Sequence, residues 1–134
     1  MARGLITCVL KTGGDFTVDH VHWLKAQCAR VMPDWEFACW SDIENWEFLP
    51  LTENLPKWWS KMEVYRDTYD ATWPILMVDL DTVFLKPLEI RPEHEDKAIV
   101  IRDPWKDGHR HPERLAGGFM YLPTWARQRI WYAW

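Results

Sequence analysis

Apolar residues fall into two kinds of pattern along this chain: short continuous runs closed by turn formers, and rows at helical spacing. Runs of four to eight residues point to strands buried on both faces, and rows three and four apart point to helices. Gly4 to Leu10 (GLITCVL) is such a run, and Thr12-Gly13-Gly14 closes it as a turn. From Thr17 or Asp19 to about Val31, the positions Val21, Leu24, Ala26, Cys28 and Val31 follow helical spacing, and Pro33 ends the segment. Trp35 to Trp40 (WEFACW) is aromatic-rich and is closed by Ser41-Asp42, which predicts a second strand.

Residues 42 to 57 show no period and are expected to be irregular. Lys57 to Tyr69 predicts a second helix, with Trp58, Met62 and Tyr65 on one face and Lys61, Glu63 and Arg66 elsewhere. Pro74 to Val78 is the third strand, and Val83 to Leu85 is expected to resume extended structure. Ala98 to Ile101 and Gly117 to Leu122 (GGFMYL) predict two more strands, before a Trp-rich helical segment from about Thr124. Strands alternating with helices imply an α/β fold: one domain over residues 1–134, with a mostly parallel central sheet flanked by helices on both faces.

Composition sharpens the picture. A chain of 134 residues, 48% hydrophobic, can bury one core and is too short for two ordinary domains. Net charge is -4 and no Lys/Arg run occurs, which speaks against a nucleic-acid partner and for a small one. No apolar stretch reaches the ~20 residues of a membrane span, and Met1 to Cys8 lacks the pattern of a signal peptide. A soluble, cytoplasmic protein is therefore expected. Cys8, Cys28 and Cys39 have no C-x-x-C spacing and read as reduced, packed thiols. Tryptophan is over-represented at 11 residues. Roughly three in four are expected in the core or an interface, and the rest as platforms for ligands such as sugar rings.

The candidate chemistry lies in WPILMVDLDTVFLKPL, residues 73 to 88. Asp79 and Asp81 stand one residue apart where the most apolar strand ends, so with period two they share a side and repel unless a cation neutralises them. Ligands of open α/β sheets sit beyond the carboxyl ends of the strands. Oxygen-only ligands suit Mg or Mn ions, which complete their shell with phosphate oxygens and water. A metal-bound diphosphate fits. The plain alternative is that both residues merely cap a strand in a solvated turn.

The WWSK-M-E segment, then ILMVDLDTVFLKPL, then GGFMYL, resembles the small metal-dependent glycosyltransferases of the GT-A fold, bacterial and phage members related to the glycogenin and galactosyltransferase group. The likeness runs from the first strand to about Leu122, and the DLD segment is its most specific part. It implies a GT-A-like domain that moves glucose or galactose from a UDP-sugar to a glycan or small-molecule acceptor, in the host cytoplasm if phage-encoded. It implies that Asp79 and Asp81 hold Mn2+ (or Mg2+) against the donor diphosphate, with Leu80 between them and Asp79 near the ribose. Lys61 resembles the basic residue that approaches the donor, a compact ammonium set against phosphate or the leaving oxygen; the alternative is a surface lysine paired with Glu63 or Asp67. Thr7, Lys11 and Asp42 fall where the nucleotide base is held; the alternatives are that Thr7 only faces the core and that Asp42 only caps the next turn. Gly117 and Gly118 fall in a turn beside the transferred sugar, where backbone approaches ligand closely.

Two departures follow from the same comparison. Larger relatives draw a third metal ligand, often histidine, from a region beyond residue 134, and His109 and His111 in DGHRHPER are the substitutes at hand. That region also builds their acceptor site, so an open groove walled by tryptophans, or a homo-oligomer, is expected here. An inverting reaction needs a carboxylate base, for which Asp103 in VIRDPW is the candidate; the glycogenin likeness leans toward retention. Two rivals stand beside this reading. ILMVDLDTVF also fits the haloacid-dehalogenase-type phosphatases, with a nucleophilic first Asp and Mg. A sugar-binding module without catalysis would use the Trp platforms alone.

Overall fold

In the computed structural model, which describes residues 3–66, 72–102 and 115–134, six strands form one sheet. They are β1 (Gly4–Leu10), β2 (Trp35–Ser41), β3 (Leu49–Pro50), β4 (Ile75–Val78), β5 (Ile99–Arg102) and β6 (Leu115–Leu122). Their order is β3-β2-β1-β4-β6-β5. β1 pairs in parallel with both β2 and β4, and β2 in parallel with β3. β6 runs antiparallel to β4 and β5, so the sheet is mostly parallel, as expected, but mixed, with β6 the reversed strand. An apolar run carries no sign of its direction, which is why the reversal escapes the pattern.

Side chains alternate across the two central strands. Ile6, Cys8 and Leu10 of β1, with Leu76 and Val78 of β4, pack on one face against Val21, Leu24 and Cys28 of helix α1 (Val18–Val31). Leu5 of β1, with Ile75 and Met77 of β4, packs on the other face with Val64, Tyr65 and Ala126. Both faces are thus apolar, and this explains the unbroken runs in the sequence. Each fully buried Leu or Ile contributes on the order of 1.5–3 kcal/mol. α1 stops at Val31, two residues before Pro33, as expected from the restriction a proline places on what precedes it. Helix α2 (Thr124–Ala133) covers the second face and buries Ala126 and Arg127.

The expected second helix is instead a 3-10 helix, Lys57–Tyr65, and residues 67 to 69 lie outside the described residues. Its buried positions are Ser60, Glu63, Val64 and Tyr65, not the Trp58-Met62-Tyr65 row. With three residues per turn, positions three apart eclipse one another, so Ser60 and Glu63 turn inward together while Trp58 and Lys61 share another row. Ser60 Oγ donates to the Lys57 carbonyl at 2.7 Å, a side-chain bond that favours such a short turn over an α-helix. β3, inside the segment expected to be irregular, exists through its pairing of Leu49 with Trp40 and Pro50 with Ser41. Val83 to Leu85 does not form a strand; Phe84 turns into the core and its amide donates to Gln27 Oε1 at 3.2 Å.

All three cysteines are free and buried. Trp40 is the one buried tryptophan among the described residues, Trp35, Trp73 and Trp131 pack partly buried against the core, and Trp23, Trp46, Trp58, Trp59, Trp125 and Trp134 are exposed. No helix among the described residues is long and apolar enough to cross a membrane.

Candidate functional site

After β1 the chain turns outward through α1 to β2 and β3, then returns through the 3-10 helix to β4 on the other side of β1. The direction of winding therefore reverses between β1 and β4, and a crevice at their carboxyl ends is the expected place for a ligand. A cleft of ≈ 370 Å³ lies there. Its wall includes Lys11, Thr12, Gly13 and Gly14 after β1, Lys57, Trp58 and Lys61 of the 3-10 helix, and Asp79, Leu80 and Asp81 after β4.

The acidic pair sits on a turn, not on the strand pleat. β4 ends at Val78, and the Thr82 amide donates to the Asp79 carbonyl at 3.0 Å, closing a four-residue turn with Asp in its first position. Leu80 is buried in the core beneath it, which holds the two flanking carboxylates at the cleft. Lys61 Nζ donates to Asp79 Oδ1, so Lys61 is paired across the cleft and not with Glu63. Asp81 is exposed and has no ion pair among the described residues.

Gly118 meets this turn from β6. Its carbonyl accepts the Asp79 amide at 3.0 Å, and a Cβ added to it would lie 2.7 Å from Asp79 Oδ2. The glycine therefore makes room for a carboxylate. Gly117 faces open space. Neither lines the cleft, and the two sit inside a strand beside an irregularity in the β5–β6 register, not in a turn.

Lys11 and Asp42 are brought together at the other wall. Thr12 donates to Asp42 twice, through its amide at 2.9 Å and its hydroxyl at 2.5 Å, and Lys11 Nζ lies 3.6 Å from Asp42 Oδ2. Asp42 thus ties down the turn that carries Gly13, whose φ of +86 suits a residue without a side chain. Burial pushes the Asp42 carboxyl up, but the Thr12 hydroxyl and amide and the Lys11 ammonium outweigh it and hold the pKa below the ordinary value of 3.8. A depressed folded pKa contributes stability that is complete above 3.8 and is lost as pH falls from there through the folded value. Wild type and Asp42→Asn should accordingly show a constant difference in Tm above about pH 5, shrinking in more acidic buffer; thermal melts across a pH series check this.

Thr7 stands apart from the cleft. It is fully buried in mid β1, and its hydroxyl has no hydrogen-bond partner among the described residues. Its place in the core takes it away from the expected contact with a base; a threonine within an apolar run is isosteric with valine and hides there. Asp103, His109 and His111 lie outside the described residues.

Sequence reasoning misses Phe16, which lines the cleft beside the glycine turn and meets the His20 ring edge-on at 5.2 Å. It also misses Asn54, whose carbonyl accepts Lys11 Nζ at 3.2 Å and whose Oδ1 accepts it too. The available signal was Asn-Leu-Pro, since Asn tolerates the left-handed backbone that Asn54 adopts at φ 50. Trp58 and Trp59 stack at 4.7 Å, and Trp58 lines the cleft with 66% of its surface exposed, available to a planar or sugar face.

Comparison with protein-family models, with curated proteins and with solved structures finds no match.

Proposed function

We propose that this chain is a divalent-metal-dependent glycosyltransferase with a GT-A-like fold, transferring glucose or galactose from a UDP-sugar to a glycan or small-molecule acceptor. One observation carries the reading: Asp81 and the Lys61-paired Asp79 line the same cleft, where the winding of the sheet reverses. The β3-β2-β1-β4 half of the sheet has the strand order of nucleotide-binding doubly wound folds.

The residues present fit a hard divalent ion. The donor set is oxygen only, Gly118 leaves space for Asp79 Oδ2, and Asp81 is unpaired among the described residues. Mg2+ and Mn2+ are commonly held by one or two protein carboxylates and completed by phosphate and water, which Asp79 and Asp81 at the cleft would allow. Asp79 and Asp81 would hold the ion, whose chemistry when bound is to neutralise charge on a departing diphosphate. Lys61 already stands against Asp79 and presents an ammonium for the same charge. Lys11 and Lys57 add positive charge at the rim, and Trp58 and Phe16 offer apolar faces for a base or sugar ring. If the reaction inverts, Asp103 is the base; retention needs none.

The phosphatase alternative calls for a further acidic pair on later strands, and among the described residues Asp79 and Asp81 are the carboxylates that line the cleft. Thermal shift with nucleotides, with and without Mn2+, separates the readings. UDP with Mn2+ at a hundred times its Kd should add about 2.7 kcal/mol to stability, an upward shift of several degrees. Stabilisation by phosphate mimics with Mg2+ alone would favour the phosphatase, and by glycan without nucleotide the binding module.

A further inference from the structure

Glu63 is an acid in the interior whose work is done two steps away. Its side chain is 2% exposed. Oε1 accepts the backbone amides of Thr52 at 2.5 Å and Glu53 at 2.9 Å, and Oε2 accepts that of Asn54 at 2.9 Å. Three successive amides converging on one carboxylate form an anion nest built from the chain itself. Charge-assisted bonds of this kind are among the stronger ones. Arg66 Nη1 lies 3.9 Å from Oε1 and closer, 3.2 Å, to Glu53.

The nest fixes residues 52–54, and with them the left-handed Asn54. In that conformation the Asn54 carbonyl and Oδ1 both take a hydrogen bond from Lys11 Nζ, while Asp42 faces the same ammonium from the other side. Lys11 lines the cleft with only 22% of its side chain exposed, although lysine is among the most rotamer-rich residues. Such a side chain, already ordered, loses less freedom when an anion arrives. We infer that Glu63 is a positioning residue for anion binding: through the 52–54 loop and Asn54 it holds the Lys11 ammonium at the cleft wall. The same 3-10 helix therefore sets two lysines, Lys61 directly and Lys11 at second hand. The effect on donor affinity rests on the proposed function; the effect on Lys11 itself does not.

The test has two arms. In the first, Kd for UDP with Mn2+ is measured for Lys11→Met, Asn54→Gly, Glu63→Gln and the Glu63→Gln/Lys11→Met double variant. Asn54→Gly retains the left-handed backbone and the Glu63 nest, so in a chain that folds it removes the Oδ1 acceptor of Lys11 and leaves only the backbone carbonyl. Each single variant should weaken binding, Lys11→Met by roughly tenfold, and the double variant should be no weaker than Lys11→Met alone, since residues acting through one contact are not additive. Multiplying effects would overturn the relay and leave Glu63 a purely structural acid. In the second arm, without ligand, lysines are acylated and counted by mass spectrometry, with the exposed Lys25 as internal reference. Lys11 should label more slowly than Lys25 in wild type and several-fold faster in Asn54→Gly and Glu63→Gln. Unchanged Lys11 labelling in both variants would sink the inference whatever UDP does, whereas faster labelling without UDP binding to wild type would uphold it and reject the proposed function.

Discussion

Gly118→Ala should weaken metal-dependent nucleotide binding by at least about tenfold while leaving the chain folded. The added methyl would sit 2.7 Å from Asp79 Oδ2 and 3.4 Å from its Cγ, closer than unbonded atoms allow. The Gly118 backbone cannot retreat without loss, because its carbonyl holds the Asp79 amide at 3.0 Å and its neighbour Phe119 pairs with Val78. The carboxylate must swing away, and it leaves Lys61 as it does so. Since the atom displaced is the end of a short side chain at the surface, stability should fall by only about 1 kcal/mol, the low end for an overpacked site. Affinity for UDP with Mn2+ should fall by at least about tenfold, the usual penalty for disturbing the support of a metal ligand. Gly117→Ala, whose methyl meets open space, is the control and should leave both unchanged. Titration calorimetry with paired thermal melts reads both quantities.

Asp81→Ala should separate function from folding more sharply still. Asp81 is exposed and without an ion pair among the described residues, and substitutions at such positions usually change stability by no more than about 0.5 kcal/mol. As one of two carboxylates at the cleft, it should nonetheless be needed for any Mn2+ effect, and its loss should weaken binding of UDP with Mn2+ by about a hundredfold or more. Binding of UDP without metal, carried by the lysines and aromatic faces, should change little or improve, because a negative charge next to the phosphates has gone. A large fall in Tm in Asp81→Ala would mean that the turn serves the fold alone.

Much of the sheet was legible because its strands are covered on both faces: GLITCVL and ILMV read as unbroken apolar runs and became β1 and β4. α1 ended where Pro33 said it would. The position of the acidic pair at the end of β4 was legible, although the reason its carboxylates face the same cleft is the turn and the buried Leu80, not the alternation of a strand. What stayed hidden depends on partners far along the chain. β6 shows its direction only through its pairing with β4, and β3 exists only beside β2. Lys11 and Asn54, 43 residues apart, meet only once the sheet brings the two loops together. Gly118 looked like a turn glycine because sequence shows the missing side chain but not the Asp79 carboxylate that fills its place. Thr7 looked like a ligand residue because a hydroxyl in a strand gives no local sign of which way it points; burial decided that.

The central claim is that the Asp79-Leu80-Asp81 turn is a metal site for a nucleotide diphosphate. Crystals soaked in Mn2+ and UDP, with diffraction recorded at the manganese absorption edge, test it most directly. An anomalous peak is expected between the two carboxylates, with the diphosphate beside it and Lys61 turned toward the phosphates; a peak elsewhere, or none with UDP bound, would rule out a metal site at this turn.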